Sequence, residues 1–459
     1  MHNRVFVGAA GHSGERGPFN VAAAATSGGG SNTTGTIAAA SPILTVAAAT
    51  DFANGQGIRV NHAGASVTLN PPTGARVIPT GATGATAYAY TIASLNATGG
   101  VGQSIGNVTT AAGNARLSTT NYNTVRWTAA TGTAPAAYAV YGNKAGTLAL
   151  IGIVPFGTNT FNDTGGGAIT APDWLPTTPQ TKSSLASWLI TTIASGGGTT
   201  TLTLAASAAT AAAAQFVIHD DTANLQAAIT SAQKAGNVLF VPPGTYQVTT
   251  PLRVTGRLTL LGSGYQGDSG KNNIGGSGSY NSAANMSRGS GWRGTTFVCG
   301  ILNNCINVAT NDAIDLEKFQ ITYPVRAVRG VTGIDAAAAA GGTSNNTASN
   351  FRDIFISGPD TAMKLTNFIN FNVDHVTLAP WTNSITISVP NYPSFGDSSI
   401  QNSLMYGRNI ASHIVATSVG GLRVINNKLV SGNYGILLQA NLAGNQFEPE
   451  LIVGNSFEG

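Results

Sequence analysis

Charged side chains are scarce in this chain: Asp, Glu, Lys and Arg together make up 9% of its 459 residues, and the net charge is +4. The 22 basic residues are scattered, so the clustered positive charge of a nucleic-acid-binding surface is missing. We therefore expect no nucleic-acid partner. Disorder is excluded as well, because hydrophobic residues reach 42%, far above the content of disordered chains.

Cysteines and long hydrophobic runs are also few. Cys299 and Cys305 could form a disulfide across a short loop, but two buried thiols are the favoured interpretation. No CxxC motif, His/Cys cluster or calcium-binding loop is present, so neither a metal nor another cofactor is expected. No apolar run approaches the ~20 residues of a membrane span. The N-terminal MHNRVFVGAAGHSGERGPFNV lacks the apolar region of a secretory signal.

What the chain does contain is small residues with periodic Val, Ile and Leu, which predicts an all-β protein with many turns. Residues 1–34 end in AAAATSGGGSNTT and are predicted to be an N-terminal attachment or linker segment. The segments 36–64 and 192–221 share a TIA opening, an LTV or LTL run and a strand ending in VNH or VIH. This repeat predicts two copies of a small β module, within 35–74 and 173–217.

Between the two copies, residues 75–172 contain strand-like runs separated by turns rich in Gly, Asn and Thr. Val125–Trp127, followed by YAVYGNKAG, LALIG and TFNDTG, resembles a fibronectin type III-like β-sandwich. Such a domain is usually a spacer or a weak adhesion module.

The second half opens with a stretch of a different kind, HDDTANLQAAITSAQKAGNVLFVPPGTYQV (219–248). Asp221 or Thr222 can cap a helix whose apolar face carries Leu225 and Ile229, and Gly236 is placed to end it. VLFV then reads as a buried strand and PPGTY as a turn. This stretch resembles the start of a pectate-lyase-like right-handed parallel β-helix, as found in phage tailspikes. The resemblance covers 218–459, implies that the helix caps the first coil, and leaves the last coil uncapped, so we expect the β-helix to be incomplete.

A repeated pattern downstream agrees with one coil per repeat. FRDIFISG, IQNSLMYG, VINNKLVSG and VGNSFEG each place an Asp or Asn before an apolar pair. With His375 included, the positions Asp353, Asn402, Asn427 and Asn455 are spaced by 22, 27, 25 and 28 residues. We expect the three asparagines to form a stacked amide ladder rather than to act in catalysis.

Glycoside hydrolysis needs two carboxylates about 5–9 Å apart, and acids on neighbouring coils could supply them. The candidate catalytic residues are Asp353, Asp374, Asp312, Asp315 and Glu317. Asp353 and Asp374 lie one residue out of register, so their side chains could point to different faces. A lyase would instead need a base, for which His375, His413, Arg408 and Arg423 are the candidates, none of them in a recognisable motif.

Aromatic rings that stack on sugars would mark a binding surface. The candidate substrate-binding residues are Trp292, Trp381, Tyr392, Tyr406 and His375. The long Gly/Ser/Asn-rich segment 263–296 is predicted to be a functional or interface loop.

The resemblance to tailspikes implies a homotrimeric phage tail protein. Its N-terminal part would attach to tail or baseplate proteins, and its β-helix would recognise, and could depolymerise, host surface polysaccharide. A low-charge chain with no visible export signal suits a virion protein, assembled in the host cytoplasm and active outside the cell. Two alternatives stay open: a bacterial pectate-lyase-like enzyme, and a virion component whose β-helix is only a scaffold.

Overall fold

The computed structural model describes a subset of the chain. The described residues are 5–6, 33–48, 52–143, 147–169, 171–180, 184–235, 237–264, 294–323, 326–338, 348–389, 398–417, 419, 421–439 and 451–458. They divide into two compact units, one within residues 31–219 and one comprising residues 1–30 and 220–459. Both are built almost entirely from strands.

The strands of the first half are short and numerous. In chain order they are β1 (Val5–Phe6), β2 (Thr33–Ile37), β3 (Ile43–Val46), β4 (Gly57–Val60), β5 (Thr73–Thr80), β6 (Thr86–Leu95), β7 (Val108–Gly113), β8 (Tyr122–Thr128), β9 (Ala137–Asn143), β10 (Ala149–Pro155), β11 (Thr160–Asp163), β12 (Leu189–Ser195), β13 (Thr201–Leu204) and β14 (Ala212–His219).

The second half adds one helix and a long series of strands. These are α1 (Thr222–Ala235), β15 (Val238–Phe240), β16 (Gly244–Val248), β17 (Leu252–Val254), β18 (Leu258–Leu261), β19 (Thr295–Cys299), β20 (Ile306–Ala309), β21 (Ile314–Thr322), β22 (Thr332–Ala337), β23 (Ser349–Ser357), β24 (Thr361–Thr366), β25 (Phe371–Asp374), β26 (Thr377–Ala379), β27 (Asn383–Ser388), β28 (Ser399–Gln401), β29 (Leu404–Thr417), β30 (Arg423–Ile425), β31 (Lys428–Gln439), β32 (Leu451–Val453) and β33 (Ser456–Glu458).

The two copies of the sequence repeat combine into one closed barrel. Its strand order is β12-β13-β3-β2-β14-β4, with three strands from each copy. The pairings obey an approximate two-fold symmetry, since β2 pairs with β14 as β12 pairs with β4, while β3 pairs with β13 and β4 with β14. Alternating apolar residues such as Ile37, Leu44 and Leu202 fill the interior. Each copy therefore supplies half of one core.

The segment between the copies forms two antiparallel sheets over a shared core. The strand orders are β10-β9-β6-β7 and β11-β8-β5. Tyr90, Trp127 and Tyr138 are buried in this core, and Trp127 packs edge-on against Tyr138 with ring centroids 5.5 Å apart. The arrangement is a β-sandwich. Its fibronectin type III-like character and the predicted domain boundaries stay predictions.

In the second unit the strands stack in parallel to form three ladders, which is the topology of a parallel β-helix. The first ladder contains β15, β18, the start of β21, the start of β23, β25, β28, β30 and β32. The second contains β16, β19, the ends of β21 and β23, β26, the starts of β29 and β31, and β33. The third contains β17, β20, β22, β24, β27 and the ends of β29 and β31. Along each strand, side chains point alternately into and out of the coil. The inward side chains form stacked apolar columns.

A column of left-handed residues joins the first ladder to the second. Lys318, Asp353, His375, Asn402 and Asn426 occupy it with φ between 51° and 60°, and Gly454 continues it at 68°. Asn, Asp and His tolerate this conformation better than other residues that carry a side chain, and Gly has no Cβ to oppose it. The spacings from Asp353 onward are therefore 22, 27, 24 and 28 residues, and Asn426 rather than Asn427 stands in register with Asn402.

The amide ladder lies one residue further along the chain. The Asn427 side-chain oxygen accepts a hydrogen bond from the Ser403 amide at 3.0 Å, and the Asn427 amide group donates to Ile400 O and Asn455 Oδ1, both at 2.9 Å. Asn455 continues the ladder by donating to Val424 O. Ser403 takes the place of an asparagine one level earlier, while the exposed Asn402 donates instead to Asp374. The prediction of a three-asparagine ladder is therefore wrong in its first member.

Asn427→Ala is expected to lower the free energy of unfolding by about 2–5 kcal/mol, because it leaves the buried Ser403 N–H and Ile400 C=O without partners. Asn402→Gly is the matched control. It keeps the left-handed backbone of an exposed residue, so its cost is expected to stay below about 1 kcal/mol. Denaturant unfolding of both variants measures the difference, and equal costs would contradict the ladder role of Asn427.

Side chains of helix α1, and of Asp221 just before it, bond the backbone of the neighbouring segments. Asp221 Oδ2 accepts the Gln247 N–H at 2.8 Å, and Thr222 Oγ1 accepts the Thr249 N–H at 2.9 Å. Gln226 accepts the Arg253 N–H at 2.7 Å and donates to Arg253 O at 3.0 Å, as a neighbouring strand would. β1 pairs with β15 in parallel. These contacts provide partners for polar groups of β15, β16 and β17. Gly236, predicted to end the helix, lies outside the described residues.

The two cysteines are joined, contrary to the expectation of free thiols. Cys299 and Cys305 form a disulfide with their Cα atoms 5.5 Å apart, in the middle of the usual range for such bonds. The turn between them, closed by the Asn303 N–H on Gly300 O, folds the chain back over a short distance. Both side chains are buried, as expected. Across the described ranges, no helix is long and apolar enough to cross a membrane.

Candidate functional site

Outward side chains of the first ladder form two polar columns, because residues two apart on each strand face the same side. One column runs through Glu317, Arg352, Asp374 and Gln401, which pair level by level; we call it the carboxylate column. The other runs through Asp315, Asn350, Asn372 and Ser399 and is called the amide column. Three of the five predicted catalytic acids thus lie on one face.

Asp315 is fully engaged within the amide column. Its Oδ1 accepts a hydrogen bond from Asn350 Nδ2 at 2.7 Å, and its Oδ2 accepts one from Thr259 Oγ1 at 3.1 Å. Ser399 repeats the arrangement further along by donating to Asn372 Oδ1 at 2.7 Å. Both carboxylate oxygens of Asp315 have partners on adjacent levels, so this acid links levels together.

Glu317 and Arg352 form an ion pair between adjacent levels of the carboxylate column. Arg352 Nη2 lies 2.5 Å and Nε 3.2 Å from Glu317 Oε1. The bond to Glu317 raises the pKa of Arg352. The Glu317 side chain is only 14% exposed, whereas the Arg352 side chain is 45% exposed and reaches into solvent. Arg352 therefore presents a fixed positive charge at the surface of this face.

Asp374 lies on the next level, and residues of the left-handed column hold its carboxylate. Its Oδ1 lies 2.9 Å from His375 Nδ1 and accepts a hydrogen bond from Asn402 Nδ2, also at 2.9 Å. Both partners belong to the left-handed column. His375 is 60% exposed and can approach a ligand together with Asp374.

The level spacing sets the separation of the two acids. Adjacent levels of a parallel ladder are ~4.8 Å apart, so Glu317 and Asp374, two levels apart, have backbones ~9.6 Å apart. This backbone separation is just above the ~6.5–9.5 Å between the carboxyl groups of inverting glycosidases, in which one carboxyl is a general acid and the other activates water. Arg352 stands between them and can bind a sugar oxygen.

Two predicted acids lie elsewhere. Asp353 sits in the left-handed column one residue after Arg352, out of register with Asp374 as expected. Asp312 is an exposed residue in the turn before β21, where its Oδ2 accepts the Arg257 N–H at 3.2 Å. Asp312 therefore belongs to a turn rather than to either column.

The third ladder carries a polar column that the sequence did not single out. Arg253, Asn307, Asp335 and Lys364 stack on consecutive levels. Asp335 lies 3.5 Å from Lys364 Nζ and also accepts a hydrogen bond from Asn304 Nδ2 at 3.2 Å. This column contains one acid, so it lacks the paired carboxylates that hydrolysis needs.

The predicted aromatic residues are dispersed. Trp381 lies at the turn between the second and third ladders, where the Arg326 guanidinium carbon is 4.6 Å from its ring centroid. Tyr406 is half-buried on the second ladder, beside Val430 of the next level. Trp292, Tyr392 and most of the predicted loop 263–296 lie outside the described residues.

Of the proposed lyase bases, His413 is buried within the coil. Its Nδ1 lies 3.1 Å from Ser384 Oγ, and burial lowers its pKa to about 4. A buried imidazole cannot meet a polymer in solution, so His413 is a core residue. Arg423 faces outward at the end of the amide column, and the Arg408 side chain lies outside the described residues. In the part of the chain that is described, no group of three His, Cys, Asp or Glu side chains is arranged to hold a metal ion.

Comparisons with known proteins point to the second unit. The family described as rhamnogalacturonase A/epimerase, pectate lyase-like, matches residues 217–402, which include the whole carboxylate column. No curated protein matches the sequence.

Among solved structures, the chain is similar to the catalytic unit of a thermostable GH87 alpha-1,3-glucanase from Streptomyces thermodiastaticus. The identity is 12% and the TM-score 0.27, over 90% of this chain and 66% of that one, so just under two thirds of that unit is spanned. A GH87 alpha-1,3-glucanase catalytic domain in complex with nigerose shows 11% identity and a TM-score of 0.17, over 94% and 86% of the two chains. Neither TM-score reaches the level of a shared fold.

Arg352 is the site residue that the sequence reading missed. It lies 35 positions from its partner Glu317, and no local motif connects them. A signal was present in the repeat. The residues before the first four left-handed positions are Glu317, Arg352, Asp374 and Gln401, so an alignment of the coils on that position reveals the column.

Proposed function

We propose that this protein binds a polysaccharide along the first ladder of its β-helix and hydrolyses it there. The observation that carries the proposal is the carboxylate column, in which Glu317 and Asp374 lie two levels apart with Arg352 between them. The pectate-lyase-like family that matches residues 217–402 supports a carbohydrate polymer as the ligand. A flat ladder several levels long suits an extended chain, because each level repeats the same polar positions.

The chemistry follows from the two acids. One carboxyl would protonate the leaving oxygen while the other activates a water molecule on the opposite side of the sugar ring. Arg352 holds the Glu317 carboxylate in place by an ion pair, and in this proposal Glu317 is the general base. Asp374, beside His375, would be the acid that protonates the leaving group.

Incubation of the protein with purified bacterial surface polysaccharides tests this. Hydrolysis shortens the polymer without creating the ultraviolet absorbance of an unsaturated sugar, whereas a lyase produces both changes. If the protein retains the polymer without shortening it, the binding part of the proposal stands and the hydrolysis part is wrong. No retention and no shortening with any polymer would contradict the proposal.

We further propose that the protein is a phage tail component, with the first half attaching the β-helix to the virion and three chains assembling side by side. Support comes from the low-charge composition and from the resemblance of residues 218–459 to tailspikes. Light scattering of the purified chain tests the trimer. Neighbouring tail genes and immunogold detection on virions test the location.

A further inference from the structure

A second polar surface lies away from the first ladder, at the turns that join the second ladder to the third. The chain stacks there on successive levels: the Ala327 N–H bonds Gly358 O at 3.0 Å, and the Trp381 N–H bonds Pro359 O at 2.9 Å. Arg326 thus stands two levels from Trp381, and its guanidinium spans that distance to lie over the indole ring at 4.6 Å. We call this surface the Arg326 corner.

The indole ring of Trp381 holds the Arg326 guanidinium at this position. A cation over an aromatic face is attracted by the ring, and the contact restricts a side chain that would otherwise move freely. The indole ring carries no oxygen that could accept these N–H groups, so the guanidinium donors remain available to another partner. Arg326 is exposed, so a ligand in solution can reach them.

The neighbouring Asp360 carboxylate does not form hydrogen bonds with the Arg326 guanidinium. Asp360 is buried and bonds the Gly330 N–H at 2.7 Å through Oδ2 and the Thr382 hydroxyl through Oδ1. Within the described part of the chain, neither Arg326 nor the exposed Arg329 belongs to an ion pair. The pKa of Arg326 is lowered, chiefly by desolvation; the Asp360 carboxylate opposes this change, and Arg329 adds a smaller lowering effect.

The Asp360 carboxylate offsets part of this positive charge, but its two oxygens bond Gly330 and Thr382 rather than Arg326. A guanidinium whose donors are available matches the paired oxygens of a carboxylate or phosphate. We infer that the Arg326 corner is a binding subsite for an anionic group, a carboxylate or a phosphate, carried by the polysaccharide. This inference rests on the proposed function, because it takes a polysaccharide as the ligand and names the chemistry that one of its subsites selects.

Affinity measurements with chemically edited polymers test the inference. An array of bacterial surface polysaccharides is used in three forms: native, with carboxyl groups reduced to alcohols, and with phosphates removed by hydrofluoric acid. The proteins are the wild type, Arg326→Gln, and Arg253→Gln as a matched control, an exposed arginine on the third ladder. Equal thermal unfolding of the three proteins shows that the variants are folded.

Arg326→Gln is expected to weaken binding of a native anionic polymer at least about tenfold, while Arg253→Gln leaves binding unchanged. Editing the polymer should weaken wild-type binding by a similar factor and abolish the effect of Arg326→Gln. Loss on carboxyl reduction identifies a carboxylate, and loss on hydrofluoric acid treatment identifies a phosphate. Trp381→Leu should reproduce part of the loss, because the guanidinium is then no longer held.

Two outcomes overturn the inference, and they differ in whether the proposed function survives. If the wild type binds native and edited polymers equally and Arg326→Gln has no effect, the corner is not an anion subsite, but the proposed function survives. If no polymer in the array is bound, the proposed function fails and the inference fails with it.

Discussion

Replacing Asp221 by Asn is expected to abolish a loss of stability that the wild-type protein undergoes as pH rises from about 4 to about 7. Burial raises the pKa of Asp221 to about 7, with the neighbouring Asp220 adding to the effect and the bond from the Gln247 N–H opposing it. Between these pH values the folded chain keeps a proton on Asp221 that the unfolded chain has released. The free energy of unfolding therefore falls as pH rises across this window and is constant above it.

The size of the effect follows from the pKa difference. One pKa unit corresponds to about 1.4 kcal/mol, so the wild type is expected to lose ~2–4 kcal/mol over this window. Asparagine keeps an oxygen that can accept the Gln247 N–H but carries no charge, so the variant should show no such slope. Above pH ~7 it should be more stable than the wild type by the same amount.

Denaturant unfolding at about pH 5 and about pH 8 gives the comparison. Subtracting the wild-type curve from the variant curve removes other titrating groups, such as His413. Asp353→Asn is the control, because Asp353 is a half-buried acid within β23 and asparagine tolerates its left-handed backbone. Parallel curves for the wild type and Asp221→Asn would show that Asp221 is ionised in the folded protein.

Local patterns in the sequence predicted the helix and the character of the second unit. Leu225, Ala228, Ile229 and Ala232 recur at helical spacing and are buried, because a single face of one helix is encoded by contiguous residues. The stacking of parallel strands was predicted for the same reason: one coil resembles the next, and the resemblance is visible at intervals of 22–28 residues.

Relations between distant residues could not be predicted in this way. The closure of the barrel depends on β3 pairing with β13 across more than 150 residues, and nothing local specifies that pairing. The register of the ladder failed by one residue at Asn427 because coils differ in length, so spacing alone does not distinguish the left-handed position from the one after it. Arg352 was missed because its importance comes from the level before it.

The largest effect on function is expected from the carboxylate column. If Glu317 and Asp374 are the base and the acid, Asp374→Asn or Glu317→Gln should lower the turnover of polysaccharide cleavage by about 10²- to 10⁴-fold, the usual contribution of acid–base catalysis. Affinity for the polymer should change little, because both replacements keep the shape of the side chain. Polymer length after fixed incubation times, together with retention of the polymer by each variant, separates turnover from binding.

Two further variants decide whether the chemistry belongs to this column. Asp353→Asn removes an acid adjacent in sequence but outside the column, and cleavage should be unaffected. Asp335→Asn removes the acid of the third ladder, which lies beside Lys364 without a second carboxylate, and cleavage should again persist. Loss of cleavage in Asp335→Asn with full activity in Asp374→Asn would place the reaction on the third ladder.

The anomeric form of the first product gives an independent check, because inversion requires a water molecule between the two carboxyls. Glu317 and Asp374, two levels apart, predict inversion, whereas retention would require acids about 5 Å apart.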